Sequence, residues 1–461
     1  MQGSSTGSSC FIREKVDSVN KPGILLEVVQ VLTDLDLVIS KAYISSDGGW
    51  FMDGTTGRIT NVSSAWTVFH VTDKKGNKVT ESKTIEQIEK NFLELDRLID
   101  LVHGRNISGR SERKQGLKGS PSLQALGANG SLNTLGLQAL QGEYTAFELM
   151  GNDRPGLLSE ISAVLTQNHC NVAAAEVWTH KTRVACIIYV TDGATSGRVD
   201  DPARLADIES QLRNVLRGRN GSAWTSIVTD LTHADRRLHQ IMSCASAGGD
   251  VDVPEEACHV EVPRPQITVE NCNKYSVVNV KCKDRPKLVF DTVYALTEMK
   301  CSVFHASVAM DGPYAVQEYY IRHMDGCTLD TEAAKKQVIN GLEAAILRRV
   351  SDCVSLELSG RDRIGLLSEV TRVLRENGLS VMRAKVTTGG GKAVNVFYVQ
   401  DTSGNPVDMK TIESLRREMG QNMMFNVKSA SDSDRPQQPV RTTKFSFSFG
   451  CILEKLLSIM Y

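Results

Sequence analysis

The chain of 461 residues is 41% hydrophobic and 23% charged with a formal net charge of -1, a length and composition that predict a soluble protein of roughly three domain cores. The neutral balance excludes a global pull toward nucleic acid or acidic membranes, and no apolar run approaches the ~20 residues of a membrane span. Its 11 cysteines contain no Cys-x-x-Cys pair, which argues against a zinc knuckle or redox dithiol. With no apolar export signal in the opening MQGSSTGSSCFIREK, they read as reduced structural thiols.

Taken in chain order, the first strongly periodic segment is NKPGILLEVVQVLTDLDLVI from Asn20, where Ile24, Leu25, Val28, Val31 and Leu32 share one helical face. The same phrase returns at Asp153 as DRPGLLSEISAVLTQNHCNV, at Asp284 as DRPKLVFDTVYALTEMKCSV, and at Asp362 as DRIGLLSEVTRVLRENGLSV. The second and fourth copies share 11 of 20 residues at a constant offset of 209. Repeats of this kind mean one supersecondary unit used several times.

The surroundings repeat as well. Short alternating runs (TAFELMG, SVVNVKC, VSLELSG) precede the helices of copies two to four and read as half-buried strands. Two further β-rich runs and a second helix follow, and AWTSIVTDL closes the second copy with a fourth strand. The order β-α-β-β-α-β predicts an α+β chain of four ferredoxin-like units, each an antiparallel sheet with two helices on one face. Open sheet edges invite pairing with a neighbour, and four copies supply neighbours within the chain.

The predicted divisions are copy one at 10–103, a Gly/Ser-rich linker at 104–142, copy two at 143–233, a linker at 234–273, copy three at 274–352, copy four at 353–430 and a C-terminal tail at 431–461. Copies three and four abut with almost no spacer and are expected to dock with each other. The tail ends in FSFSFGCILEKLLSIMY, a segment that either folds back on the protein or recruits a partner. In copy one, Gly23 to Asp73 spans 14 residues more than Gly156 to Asp192. Removing Gly54 to Thr67 would join GGWFMD to VFHVTD as one alternating strand. The extra segment is therefore expected to interrupt the third strand, as in a splice or gene-model variant.

Each helix is entered through an Asn/Asp-x-Pro-Gly turn or a variant of it. One reading is local: Asp or Asn caps the helix, Pro sets its first turn and Gly makes the bend. The other adds a ligand. Free N–H groups and positive potential at a helix N-terminus suit a carboxylate, Gly allows close approach, and a nearby Asn or Asp can take an ammonium group. A free α-amino acid carries both groups. The candidate residues are Asn152, Asp153, Pro155, Gly156 and Leu157 in copy two, Asn20, Pro22, Gly23 and Ile24 in copy one, and Asp362, Gly365 and Leu366 in copy four. Copy four has Ile364 in place of Pro. In copy three Lys287 replaces the Gly, and its side chain is expected to crowd a ligand. No catalytic constellation, metal spacing or cofactor motif accompanies them, and the paired aspartates at 250/252 and 432/434 read as solvated loop charge. RNA binding is argued against by the lack of a basic, Gly-aromatic signature on the third strands.

The unit carrying DRPGLLSEISAVL resembles the ACT domain. The four-copy layout, with AYISSDGGWFMD, AEVWTHKTRVACIIYVTD, HADRRLHQIM, YAVQEYYIRHMDG and DRIGLLSEVTRVLRENG, resembles the plant ACT-domain-repeat family over about residues 16 to 430. The resemblance implies ACT domains paired side by side, amino acids bound at the interfaces between them, and a sensor or regulator without catalysis of its own. It also extends to the regulatory ACT domains of bacterial PII-uridylyltransferase, which respond to glutamine. A second expectation stands beside it: a scaffold whose ACT sheets or tail bind a protein partner with no small ligand. A homo-oligomer and a cytoplasmic or nuclear location are compatible with both.

Overall fold

A computed structural model describes residues 10–16, 23–45, 51–52, 59–60, 65–73, 144–180, 182–218, 222–228, 233–246, 264–272, 274–349, 353–420 and 423–428, with most of 84–91 and isolated positions between 76 and 79. The Gly/Ser-rich linker at 104–142 and the tail at 431–461 lie outside the described residues.

The strands form two large sheets. In the first, β1 (Cys10–Val16), β2 (Val38–Ser45) and β5 (Ala65–Thr72) of copy one join β10 (Gln266–Cys272), β11 (Tyr275–Lys283), β12 (Cys301–Asp311) and β13 (Tyr314–His323) of copy three. Their order is β1-β5-β2-β12-β13-β11-β10. The second sheet orders β17 (Met424–Lys428), β14 (Val354–Arg361), β16 (Lys392–Asp401) and β15 (Leu379–Gly389) of copy four beside β7 (Cys170–His180), β8 (Arg183–Asp192), β6 (Thr145–Asn152) and β9 (Trp224–Val228) of copy two. Copy one thus pairs with copy three, and copy two with copy four. Copies three and four do not dock edge to edge as their adjacency suggests. Six residues, 348–353, separate the end of copy three's second helix from β14.

Both pairs join through the second strand of each unit, antiparallel. Glu176 faces Lys385 and Tyr43 faces Ser307. All four residues lie 20 positions after their own turn residue, so each pair has a pseudo-two-fold axis at the same place in the repeat. Register shifts in the second strands fall at Ser40, Ala173, Phe304 and Met382. Each is 17 positions after the turn residue, so the one-residue irregularity, of the kind a β-bulge makes, recurs at the same place in every copy. At the second sheet's seam the Thr179 hydroxyl donates to the bulge carbonyl of Met382 at 2.8 Å, and the Thr388 hydroxyl donates to that of Ala173 at 2.6 Å.

The first helices are α1 (Ile24–Asp34), α2 (Leu157–Gln167), α5 (Leu288–Glu298) and α7 (Leu366–Glu376). Their apolar slots face the sheets as the spacing predicts: Leu157, Ile161, Val164 and Leu165 are buried, as are Leu366, Val370, Val373 and Leu374. Helix α1 packs on α5 and α2 on α7, so each pair has one continuous core. The second helices α3 (Pro202–Arg217), α6 (Glu332–Leu347) and α8 (Met409–Glu418) start from side-chain caps at Asp201, Thr331 and Asp408. The first helices have no side-chain cap. Each starts from a left-handed residue, Gly23, Gly156, Lys287 or Gly365, with φ between 65° and 93°. In copies two to four the Asp of the turn therefore does not cap.

Helix α4 (Ala234–Ser246) forms where the polar stretch ADRRLHQIM of the linker suggests one. Two further expectations are revised. The linker 234–273 also holds β10. Strand β10 pairs with β11 in the place that β9 takes beside β6 in copy two, so copy three's edge strand comes from before the unit rather than after it. The extra segment of copy one does not break its third strand: β5 starts at Ala65, inside that segment, and pairs with β1 and β2 from Ala65 or Trp66 onward. Phe51–Met52 pairs instead with Ile59–Thr60 as a separate two-stranded ribbon, β3 and β4.

Helix α4 lies between the two pairs. Its Leu238, Ile241 and Met242 pack on Trp178, Ile187 and Tyr189 from the outer face of the second sheet. From the same helix His239 stacks on Tyr294 of α5 at 4.6 Å. The layers therefore run first sheet, its helices with α4, second sheet, its helices.

Candidate functional site

At the seam of copies two and four, each helix N-terminus opens onto a small cavity walled by the other copy. The cavity at Gly156 holds about 30 Å³ and is walled by Asp153, Leu157, Val177, Val184 and Cys186 of copy two and by Thr371, Arg375, Leu379, Ser380 and Val381 of copy four. The cavity at Gly365 holds about 20 Å³, between Asp362, Leu366, Val386, Ala393 and Asn395 on one side and Ser162, Thr166, Cys170, Asn171 and Val172 on the other. Position by position these are the same residues of the repeat, related by the pseudo-two-fold axis.

Helix geometry leaves the N–H groups of the first turn outside the helical ladder. Leu157 N–H donates back to Arg154 O at 3.1 Å and helical bonding starts at Glu160 N–H to Gly156 O, so Leu158 and Ser159 fall in the unpaired first turn. Asp153 is held by its own N–H donating to Thr182 O at 2.8 Å. Burial pushes its carboxyl up to about 6, more than the Arg154 N–H and guanidinium bring it down. Arg154 is committed elsewhere, to Glu160 at 2.5 Å and to Val215 O at 3.2 Å. Its hydrogen bonds in turn hold the Glu160 carboxyl below the usual range.

The two cavities differ in their roofs. At Gly156 the stem of Arg375 lies so close that a Cβ would stand 2.6 Å from Arg375 Cδ, whereas at Gly365 it would meet Thr166 Cγ2 at 3.2 Å. Ten positions after the turn residue, the copies read Thr33, Thr166, Thr297 and Arg375. Across the Gly365 cavity Asn171 Nδ2 donates to Asp362 Oδ2 at 3.0 Å.

Of the expected residues, the structure brings Asp153, Gly156, Leu157, Asp362, Gly365 and Leu366 to these cavities. Asn152 ends β6 opposite Arg183 and is exposed, and Pro155 is exposed on the turn; neither lines a cavity. Asn20 and Pro22 lie outside the described residues. Gly23 is left-handed at φ 93° and Ile24 packs on the first pair's core. In copy three Lys287 holds the same left-handed turn at φ 65°, and its Nζ reaches Asp235 of α4 at 2.5 Å. That helix N-terminus is thus engaged by α4. Arg375, Asn171, Cys186 and Asn395 were not anticipated. Counting the repeat frame places them, but only the pairing of copies brings the first two to the sites.

Beyond the seam, α4 stands in a buried ionic cluster. Asp291, four positions after Lys287, meets Arg285 at 2.7 Å, Arg349 at 2.9 Å and His239 at 2.9 Å. Burial raises the Asp291 carboxyl, but Arg349 and Arg285 more than offset this and hold it well below the usual range. Arg349 also meets Asp235 at 2.8 Å and lies 4.3 Å from the Trp178 ring of copy two. Burial keeps His239 below its ordinary value, against the pull of Asp291.

Two pairs of α+β units, joined edge to edge and with small cavities at the helix N-termini along one seam, are consistent with a protein built of repeated ACT domains. Residues 7–97 match the ACR family N-terminal ACT domain, and 145–217 and 354–417 match the ACT domain. The chain is 52% identical to ACT domain-containing protein ACR3 of Arabidopsis thaliana over 96% of its length and 91% of that protein. Identity to ACR4 of the same plant is 45%, over 95% and 88%. It is also 25% identical to a bifunctional uridylyltransferase/uridylyl-removing enzyme of Rhodospirillum rubrum, over 43% of this chain and 19% of that one. The chain belongs to the ACR family of ACT-domain-repeat proteins.

Proposed function

We propose that this chain is a non-catalytic amino-acid sensor, with ligand held at the seam of copies two and four. The observation that carries this reading is the symmetric pair of cavities at Gly156 and Gly365, each combining unpaired helix N–H groups with an aspartate. The N–H groups of the first turn suit the α-carboxylate, and Asp153 or Asp362 suits the ammonium. As they stand the cavities have room for a water-sized group. Entry of an amino acid therefore moves the exposed side chain of Arg375 off Gly156 and shifts α2 against α7. Binding at a seam can in this way alter the docking of copies, which is what a regulator without chemistry of its own needs.

Titration calorimetry of the full chain against the free amino acids tests the reading. Selective binding is expected, lost on Gly156→Val together with Gly365→Val, because φ above 80° and the near contacts leave no place for a branched side chain. Binding unchanged in the double variant would put the site elsewhere, and absence of binding by every amino acid would favour the scaffold.

A further inference from the structure

Beneath the Gly365 turn lies a buried amide oxygen with no hydrogen-bond partner among the described residues. Asn395 stands on β16, 30 positions after Gly365, between Ala393 and Phe397 on the face turned to the core. It is 1% exposed, and its Oδ1 is buried with no hydrogen-bond partner among the described residues. It lines the Gly365 cavity, opposite the Asn171–Asp362 hydrogen bond. A buried acceptor left unpaired is costly to a fold.

The matched positions behave differently. In copy two the residue is Cys186, fully buried beneath the Gly156 cavity and a weak hydrogen-bonding group. In copy three it is Gln317, whose Oε1 accepts the Tyr319 hydroxyl at 2.6 Å. Only in copy four, of these three, does a strong acceptor face a cavity with its oxygen unspent.

We infer that Asn395 determines which amino acid the Gly365 site accepts. Its Oδ1 takes a hydrogen bond from the end of the ligand side chain, so the site selects amino acids with a neutral amide or hydroxyl donor over aliphatic ones of similar size. A charged ammonium is disfavoured there because burial strips its water and the acceptor is neutral. Cys186 leaves the sister site without this demand, so the two cavities respond to different ligands. The inference rests on amino-acid binding at the seam.

Titration calorimetry decides it with two isosteric pairs, threonine against valine and asparagine against leucine. The protein is the full chain carrying Gly156→Lys, which places the third copy's residue at the sister cavity. The donor of each pair is expected to bind more tightly by on the order of tenfold to a hundredfold. Asn395→Leu, or Asn395→Cys should the former not fold, is expected to erase that preference while some binding persists. Equal preference in parent and variant would overturn the assignment of Asn395 and leave amino-acid binding standing. No binding by any of the four to the wild-type chain or the parent would overturn both.

Discussion

At the residue scale, the turn shows how one backbone conformation serves two ends. Lys287 adopts the left-handed φ that Gly156 and Gly365 adopt, so the helix start does not itself require glycine; what glycine spares is the Cβ beside the seam. Asp153 has a measurable signature. Its folded value of about 6 lies above the ordinary 3.8. Its contribution to stability is therefore present below pH 3.8 and lost as pH rises through 6. Asp153→Asn, which cannot ionise, should melt higher than the wild type at pH 7.5, by on the order of 1–2 kcal/mol after allowance for solvent. The difference should shrink toward pH 5. Melts at the two pH values check this. A gap independent of pH would mean that the carboxyl is not the cause.

At the element scale, the first copy shows how a strand survives an inserted segment. The 14 residues from Gly54 to Thr67 do not bulge a central strand, because their own end, Ala65-Trp66-Thr67, continues into Val68–Thr72 and satisfies the same ladder. Deleting 54–67 would put Phe51-Met52-Asp53 in those three places. Alternation is kept, since 14 is even and strand faces repeat every two residues. The deletion variant is expected to fold with unchanged circular dichroism and a stability within about 1 kcal/mol of the parent. A loss of several kcal/mol in denaturant melts would show that the ribbon β3–β4 is an integral part of the copy. The extra length was legible from spacing, but the expected break in the strand was not what forms, because the ladder depends on the pairing register of β5 with β1 and β2.

At the scale of the whole molecule, α4 and its ion cluster make one body of two sheets. Arg349 is the common member, touching Asp235 of α4, Asp291 of copy three and the Trp178 ring of copy two. Replacing it leaves two buried carboxylates short of a partner, although Arg285 and His239 still face Asp291 and Lys287 still faces Asp235. Arg349→Met is expected to cost about 3–5 kcal/mol. It should split a single denaturant transition into two, as the pair of copies one and three separates from that of copies two and four. A single transition at the parent midpoint would show that the apolar packing of Leu238, Ile241 and Met242 suffices to join the layers. The same network gives a physical route from the seam to the rest of the chain, because Glu176, which faces Lys385 at the pseudo-two-fold axis, also meets Arg383 at 3.0 Å and accepts from Trp178 Nε1 at 3.1 Å.

The amino-acid sequence by itself determined the repeat: four first helices with their apolar slots in one register, the turns that start them, and the α+β order of each unit. These are local, because periodicity and turn chemistry act over a few residues. The same signal picked out six residues that line the candidate cavities, Asp153, Gly156, Leu157, Asp362, Gly365 and Leu366. Tertiary structure alone decided which copies pair, that copy three borrows β10 from the preceding linker, and that α4 is a layer rather than a spacer. It also decided that Arg375 and Asn171 stand over turns nearly 200 residues away or more. Strand edges carry the same backbone hydrogen-bonding groups in every copy, so choice of partner is made by side chains that meet only after folding, such as Glu176 with Arg383 and Thr179 with the Met382 carbonyl.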